Sequence, residues 1–300
     1  MTDILRVFPR YFSVLKGEVK PKFKLNKASL EEKIERASAI LENCNLCERA
    51  CGVNRKEGET GYCHIGDKIS VGVHYIGNND LDFIVPSYDV FFSGCTLKCV
   101  FCQNSDLSQN LNPRLSLSEQ HLAKVIDSRS TCKSVDFVGG DPLPQLPFIL
   151  KILNHLNRDI PVMWNSSFYM ALESMDLLKG IIDIYSPDFK YGNDGCAKRL
   201  SDVKNYTGIV SRNIQIAAKD SEVIIRHLVM PNHLECCSKP VLDCISEKYG
   251  DKVLVHLMDQ YTPNWRAKQY PDINRTLRKK EFTEIVHYAE KKRLNFILGG

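Results

Sequence analysis

The sequence has no apolar run approaching the ~20 residues that a membrane-spanning helix needs, so no transmembrane segment is expected. Its first stretch, Met1–Lys20, lacks a clean apolar core followed by a small-residue cleavage site, so no secretory signal is expected. That stretch is basic and poor in acids, which leaves an organelle-targeting role open. A strong charge bias is also missing: the net charge of +4 is too small to argue for a nucleic-acid partner. There is no shortage of core-forming residues. A chain of 300 residues can bury ~75% of its unfolded surface and needs no covalent staples to fold. These absences point to a cytoplasmic globular chain, one large domain with a small appendage.

Cysteine is abundant. Seven of the 12 fall between Cys44 and Cys102 in short spacings, which favours metal or cluster ligation in a reducing compartment over disulfides. Cys95, Cys99 and Cys102 are spaced C-x3-C-x2-C in YDVFFSGCTLKCVFCQNS, residues 88–105. Val90-Phe91-Phe92 reads as a buried strand and Ser93-Gly94 as its end, which puts the cysteines on the following loop. Three thiolates on one loop can hold three irons of a [4Fe–4S] cluster, leaving the fourth iron open to a ligand that is not protein. A structural zinc site usually takes four ligands in C-x2-C pairs, and buried free thiols are the other plain alternative. Upstream, Cys44, Cys47, Cys51 and Cys63 are spaced C-x2-C-x3-C-x11-C around Gly58, Gly61 and Gly66. Four thiolates fit zinc or a second [4Fe–4S] cluster, with His64 as an alternate ligand. The competing reading is one apolar helix face at i, i+3 and i+7, which the late arrival of Cys63 opposes. Cys132, Cys196, Cys236, Cys237 and Cys244 show no ligand spacing and read as packing thiols.

Residues 1–28 are basic and aromatic without a period and read as an arm on the main domain. Ser29 with Glu32 forms a capping-box pattern opening a helix to about residue 43. Residues 68–87 read as short strands and turns. From Asp89, apolar strands at 89–93, 134–138, 160–164, 181–187, 222–229 and 252–258 alternate with helical patterns near 118–128, 145–157, 170–179, 211–219, 238–249 and 279–291. A short strand at 294–298 follows. Such alternation means parallel βα units. A full eight-unit barrel takes ~250 residues, more than this region has. The expected fold is α/β: a partial (β/α)6 barrel over residues 89–300, with residues 1–88 forming an arm, a helix and a four-cysteine knuckle.

The CTLKCVFC run, with Phe101 at the aromatic position, resembles the motif of the radical S-adenosylmethionine (SAM) superfamily. The order of knuckle, CxxxCxxC, GGDP, DFK and LMDQYTP resembles the uncharacterised PflX-like relatives of pyruvate formate-lyase activating enzyme. That resemblance implies the same partial barrel. It implies that the open iron binds the amino and carboxylate groups of SAM, and that an electron from the cluster cleaves SAM to methionine and a 5′-deoxyadenosyl radical. Gly139-Gly140-Asp141-Pro142 resembles the family's Gly-Gly-Glu-Pro, which holds the SAM amino group, with an acid one methylene shorter. Asn165 and Ser167 stand where relatives reach the ribose or methionine part. Asp188-Phe189-Lys190 resembles Asp-Leu-Lys, whose lysine contacts SAM. Arg226 is a candidate for the SAM carboxylate, since a guanidinium meets a carboxylate bidentately. Asp259, Gln260 and Tyr261 are expected to face the substrate mouth, and Trp265-Arg266 with residues 270–275 either to close over it or to form a surface loop. The resemblance implies an oxidoreductase served by a low-potential donor such as flavodoxin or ferredoxin. Its substrate would be a protein, a peptide or a small molecule, as for a glycyl-radical-enzyme activase. Alternatives are a maturase or methyltransferase using the knuckle as a second redox centre, or a non-enzymatic iron–sulfur or zinc protein for electron transfer or nucleic-acid contact.

Overall fold

The computed structural model describes residues 3–78, 81–110, 115 and 117–299. Eight strands lie in chain order in one sheet: β1 (Val71–Gly77), β2 (Ser87–Phe92), β3 (Ser134–Gly139), β4 (Val162–Ser166), β5 (Ile184–Pro187), β6 (Glu222–Leu228), β7 (Leu254–Met258) and β8 (Phe296–Leu298). β1 runs antiparallel to β2, and every later neighbour pair is parallel. Among the described residues β8 does not return to β1, so the barrel is open. This is the partial βα barrel expected, with β1 added on one edge and β8 on the other. The boundary drawn between residues 88 and 89 falls inside β2.

Helices Glu119–Asp127, Leu146–His155, Leu172–Leu178, Tyr206–Asp220, Lys239–Lys248 and Lys279–Lys291 cover the outer face. Alternation along the strands divides the core. Trp164, Tyr185, Ile225 and Val255 belong to the large helix-facing core. Their neighbours Met163, Ile184, Ile224 and Leu254 form a second cluster with Phe8, Tyr11, Leu81 and Ile84. The N-terminal arm therefore plugs the barrel floor. The Tyr11 hydroxyl donates to Phe83 O at 3.0 Å. The carboxylate of Glu222 accepts from Arg10 N at 2.7 Å and Tyr11 N at 3.0 Å. Asp183 accepts from Lys22 N at 3.1 Å and Val162 N at 3.0 Å.

Two local expectations are corrected. The helix assigned to start after Ser29 spans Lys27–Ile40. Ser29 lies inside it and donates to Asn26 O at 2.9 Å, so its hydroxyl does not cap the backbone. A helix at Asp194–Ser201 was not expected. It is eight residues long, and its start is marked by Asn193, whose side chain accepts from Cys196 N at 2.8 Å. No described helix is long and apolar enough to cross a membrane.

Candidate active site and cysteine centres

The site is assembled where β2 and β3 end side by side. Gly94 turns the chain with φ 82°, and a Cβ there would meet Ile65 at 2.5 Å. At Gly139, φ 126°, a Cβ would meet Phe92 N and O at 2.3 Å. Only glycine lets the two strand ends approach this closely. The cysteine loop that follows is held by backbone bonds from Lys98 N to Ser201 O (3.1 Å), Val100 N to Leu200 O (2.8 Å) and Arg266 N to Val100 O (2.9 Å). Cys95 Sγ accepts from Leu97 N at 3.3 Å, and Cys99 Sγ accepts from the Ser201 hydroxyl at 3.0 Å. Cys102 Sγ lies 3.3 Å from Ser108 Oγ. Phe101 is buried between Tyr261 and Tyr191, ring centroids 5.8 and 6.5 Å away. Burial pushes the Cys95 thiol well up and the Cys99 thiol up to about 11, the latter opposed by the charge of Lys190.

The three cysteines open into a cavity of about 410 Å³ at the C-terminal ends of the strands. Of the residues singled out in sequence, Cys95, Cys99, Cys102, Phe101, Gly139, Gly140, Asn165, Ser167, Asp188, Lys190, Arg226 and Gln260 line it. Lys190 ion-pairs with Asp188, and Arg226 Nε lies 3.7 Å from the other carboxylate oxygen of Asp188. Burial works against the Lys190 charge, but Asp188 and the cysteines outweigh it and raise its pKa.

Three singled-out residues are placed elsewhere. Asp141 is fully buried behind the cavity wall. Its Oδ2 accepts from Thr96 Oγ1 at 3.0 Å and from Ser167 Oγ, and its Oδ1 from Leu143 N at 3.0 Å. It braces the cysteine loop against the ends of β3 and β4. Tyr261 is buried, with its hydroxyl donating to Ile273 O at 2.6 Å. Asp259 is exposed and outside the cavity lining. Conversely, Asp136 lines the cavity and accepts from Asn165 Nδ2 at 3.2 Å. A charge inside the apolar run of β3 was its signal in the sequence.

Cys44, Cys47, Cys51 and Cys63 surround a small cavity on the back of the cysteine loop, shared with Thr96 and Pro144; His64 does not line it. Residues 43–54 contain no helix, which removes the helix-face reading. Arg49 joins this knuckle to the loop, with Nε donating to Thr96 O at 2.6 Å and its guanidinium 3.3 Å above the Tyr62 ring. Burial pushes the Cys47 thiol up to about 12. Among the described residues one group of three or more metal-ligating side chains has all its ligand atoms within 4.8 Å of one another, and it is neither of these sets. It is Cys196, His233, Cys236 and Cys237. Three of the cysteines read as packing thiols thus meet around a histidine. They arrive from two segments about forty residues apart in sequence, a separation that motif spacing does not register.

A family model described as the radical SAM superfamily matches residues 90–239, half of the chain, including the cysteine loop, GGDP and DFK. The chain belongs to the radical SAM superfamily. An uncharacterized protein of Methanocaldococcus jannaschii, MJ0674, is 46% identical over 275 residues, covering 89% of this chain and 80% of that one. A radical SAM methyltransferase from Sphaerobacter thermophilus shares the fold with TM-score 0.54 at 11% identity, covering 77% of this chain and 76% of that one. Streptococcus suis SuiB bound to S-adenosylmethionine does so with TM-score 0.53 at 15% identity, this chain covering 69% of itself and 48% of SuiB. Membership of the radical SAM superfamily implies a [4Fe–4S] cluster and SAM. The residues fit them. Three thiols share one wall of a polar cavity, and they are spread wider than one ion requires, as they must be to ligate separate irons.

Proposed function

We propose that this radical SAM chain holds a [4Fe–4S] cluster on Cys95, Cys99 and Cys102, cleaves SAM reductively, and removes a hydrogen atom from a polypeptide substrate. When bound, the cluster supplies the electron that converts SAM to methionine and a 5′-deoxyadenosyl radical. The chain's own residues orient and shield. Lys190 and Arg226, both beside Asp188, present positive charge to the SAM carboxylate. Asn165 and Ser167 at the end of β4 offer polar contacts to its ribose or methionine part. Gly139 and Gly140 bring backbone to its amino group. Buried Phe101 and Tyr261 keep water from the loop.

The observation that carries the substrate class is the open side of the barrel. A second space of about 530 Å³ shares Arg226 and Gln260 with the site cavity and is lined by Ile297 and Leu298 of the β8 edge. On the opposite edge, Val73, Tyr75 and Ile76 of β1 are exposed, and Tyr75 lines the site. Apolar groups flanking a slot fit an extended chain better than a small polar metabolite, and an edge strand, as β1 is beyond its bridge from Val71 to Leu115, can add backbone hydrogen bonds to it. For the knuckle, four thiols around one cavity suit zinc or a second [4Fe–4S] cluster, and we read it as the cluster. Its place behind Thr96 favours a relay from a donor such as flavodoxin or ferredoxin.

The test is anaerobic reconstitution, reduction and addition of SAM, with 5′-deoxyadenosine and iron measured. The wild type should form deoxyadenosine, and Cys99→Ala should lose at least ~100-fold of it. Iron should be about eight per chain, falling to about four in Cys44→Ala/Cys47→Ala. No cleavage by a reduced, iron-loaded wild type removes the enzymatic reading. About four irons with zinc at the knuckle removes the second cluster.

A further inference from the structure

We propose that Cys196, His233, Cys236 and Cys237 form a tetrahedral site for one zinc ion, and that this ion positions the helix supporting the cysteine loop. His233 Nδ1 lies 3.4 Å from Cys236 Sγ and 3.5 Å from Cys237 Sγ. Cys236 Sγ lies 3.9 Å from both Cys196 Sγ and Cys237 Sγ. A tetrahedral zinc with Zn–S near 2.3 Å and Zn–N near 2.05 Å sets its ligand atoms about 3.8 Å (S to S) and about 3.6 Å (S to N) apart. The cluster already has that size before any ion is considered. It is too tight for an iron–sulfur cluster, whose thiolates sit on separate irons, and its sulfurs are well beyond bonding distance of one another. Three thiolates and an imidazole exclude magnesium and calcium and suit zinc.

A second, independent observation comes from the far side of the imidazole. His233 Nε2 lies 2.9 Å from Asp272 Oδ2 and donates to it. Arg199 Nη2 lies 3.4 Å from the same nitrogen. In the neutral imidazole the carboxylate, which can only accept, selects the tautomer whose Nδ1 faces the sulfurs as an acceptor, the carboxylate–histidine arrangement of zinc ligands. Asp272 is itself ion-paired to Arg199. The backbone is shaped to match. His233 caps the start of a π-helical turn, Leu234–Ser238, that carries Cys236 and Cys237 at i+3 and i+4 from it. Asn193 Nδ2 donates to Cys236 O at 2.7 Å, pinning that turn to the start of helix Asp194–Ser201, which carries Cys196. His233 and Cys237 are buried, while Cys236 is exposed and gives the ion a way in.

The same helix ends at Leu200 and Ser201, which hold the backbone of Lys98 and Val100 and the sulfur of Cys99. Asp272 lies next to Ile273, whose carbonyl takes the Tyr261 hydroxyl behind Phe101. An ion here thus joins the segments after β5, β6 and β7 on two sides of the cysteine loop. Its role is positioning.

The experiment uses the full chain, reduced and exposed to Zn²⁺ or Co²⁺ alone. Wild-type protein should hold one zinc that Cys196→Ser/Cys236→Ser lacks and that Cys44→Ser/Cys51→Ser retains. Cobalt in the wild type should show intense thiolate-to-metal absorption and a tetrahedral ligand-field spectrum, both lost in the first variant. Asp272→Asn, which keeps all four ligands, should weaken zinc binding ~10–100-fold in a chelator competition. Equal zinc content and equal cobalt spectra in wild type and Cys196→Ser/Cys236→Ser overturn the proposal. So does a wild type without zinc whose mass shows a disulfide among these cysteines.

Discussion

At Lys190 two opposing electrostatic effects meet, and their balance decides the chemistry of the cavity floor. Burial disfavours the ammonium, while Asp188 and the neighbouring cysteines favour it and win. Lys190→Met removes the cation and leaves Asp188 with Arg226 Nε at 3.7 Å. Loss of one partner of a largely buried pair costs about 3 kcal/mol, read as a lower urea midpoint. Loss of a preorganised charge in the site should lower deoxyadenosine formation ~100-fold with iron content unchanged. Wild-type rates in this variant would leave Lys190 with a structural part only. Residues of this kind were legible in the sequence because a charged pair at the end of a buried strand is conspicuous. Asp141 was legible as part of a motif, but its direction was not. One methylene shorter than the family's glutamate, it reaches Thr96 and Ser167 instead of the cavity. Tyr261 was misplaced for a related reason: a tyrosine after a strand reads as polar, whereas its hydroxyl here satisfies a buried carbonyl.

Among the elements, the parallel strands were readable because buried apolar runs alternate with helical periods. The N-terminal arm was legible as an arm on the main domain, but its seat on the barrel floor was not. Its helices Ile4–Val7 and Pro9–Leu15 are too short to show a period, and its attachment combines the buried Phe8 and Tyr11 with backbone bonds from Arg10, Tyr11 and Lys22 to Glu222 and Asp183. Phe8 is fully buried, so Phe8→Ala should cost about 3–5 kcal/mol, measurable by urea denaturation. The arm also gives stability a pH dependence. Burial pushes the Glu222 carboxyl from 4.5 up to about 7 and that of Asp183 from 3.8 up to about 6. Their folded-state pKa values exceed the unfolded ones, so the native chain binds more protons in between. Stability from these groups is therefore fully present below the unfolded values and is lost as pH rises through about 6 to about 7. Glu222→Gln stays neutral and keeps an acceptor for Arg10 N or Tyr11 N. From about pH 5 to about pH 8 the wild type should lose about 2 kcal/mol relative to this variant, seen as diverging melting temperatures. Parallel curves would mean that Glu222 titrates normally in the folded chain.

For the whole molecule, the number of βα units followed from length and rhythm, and short strands within 68–87 and 294–298 were expected. How they pair was not, β1 running antiparallel on one edge and β8 extending the parallel order on the other. β1 has a mixed apolar and polar pattern, with Val73, Tyr75 and Ile76 exposed on its two faces, so the sequence does not show what it packs against. β8 is three residues long, readable as a short strand within 294–298 but too short to show its partner. These two weakest strands bound the open side of the barrel, on which the polypeptide-substrate reading rests. Central strands are paired on both sides, so their amides open only when most of the sheet does. An edge strand has half its backbone groups unpaired and opens by itself. Hydrogen exchange on the intact protein should therefore find amides in residues 71–77 and 296–298 exchanging at least ~100-fold faster than those in 134–139 and 184–187, a gap of ~2.7 kcal/mol in opening free energy. The gap should narrow at β1 and β8 when a polypeptide occupies the slot and pairs with an edge. Core-like protection of both edges in the free protein would mean that they are already covered, and the slot could not then admit a chain.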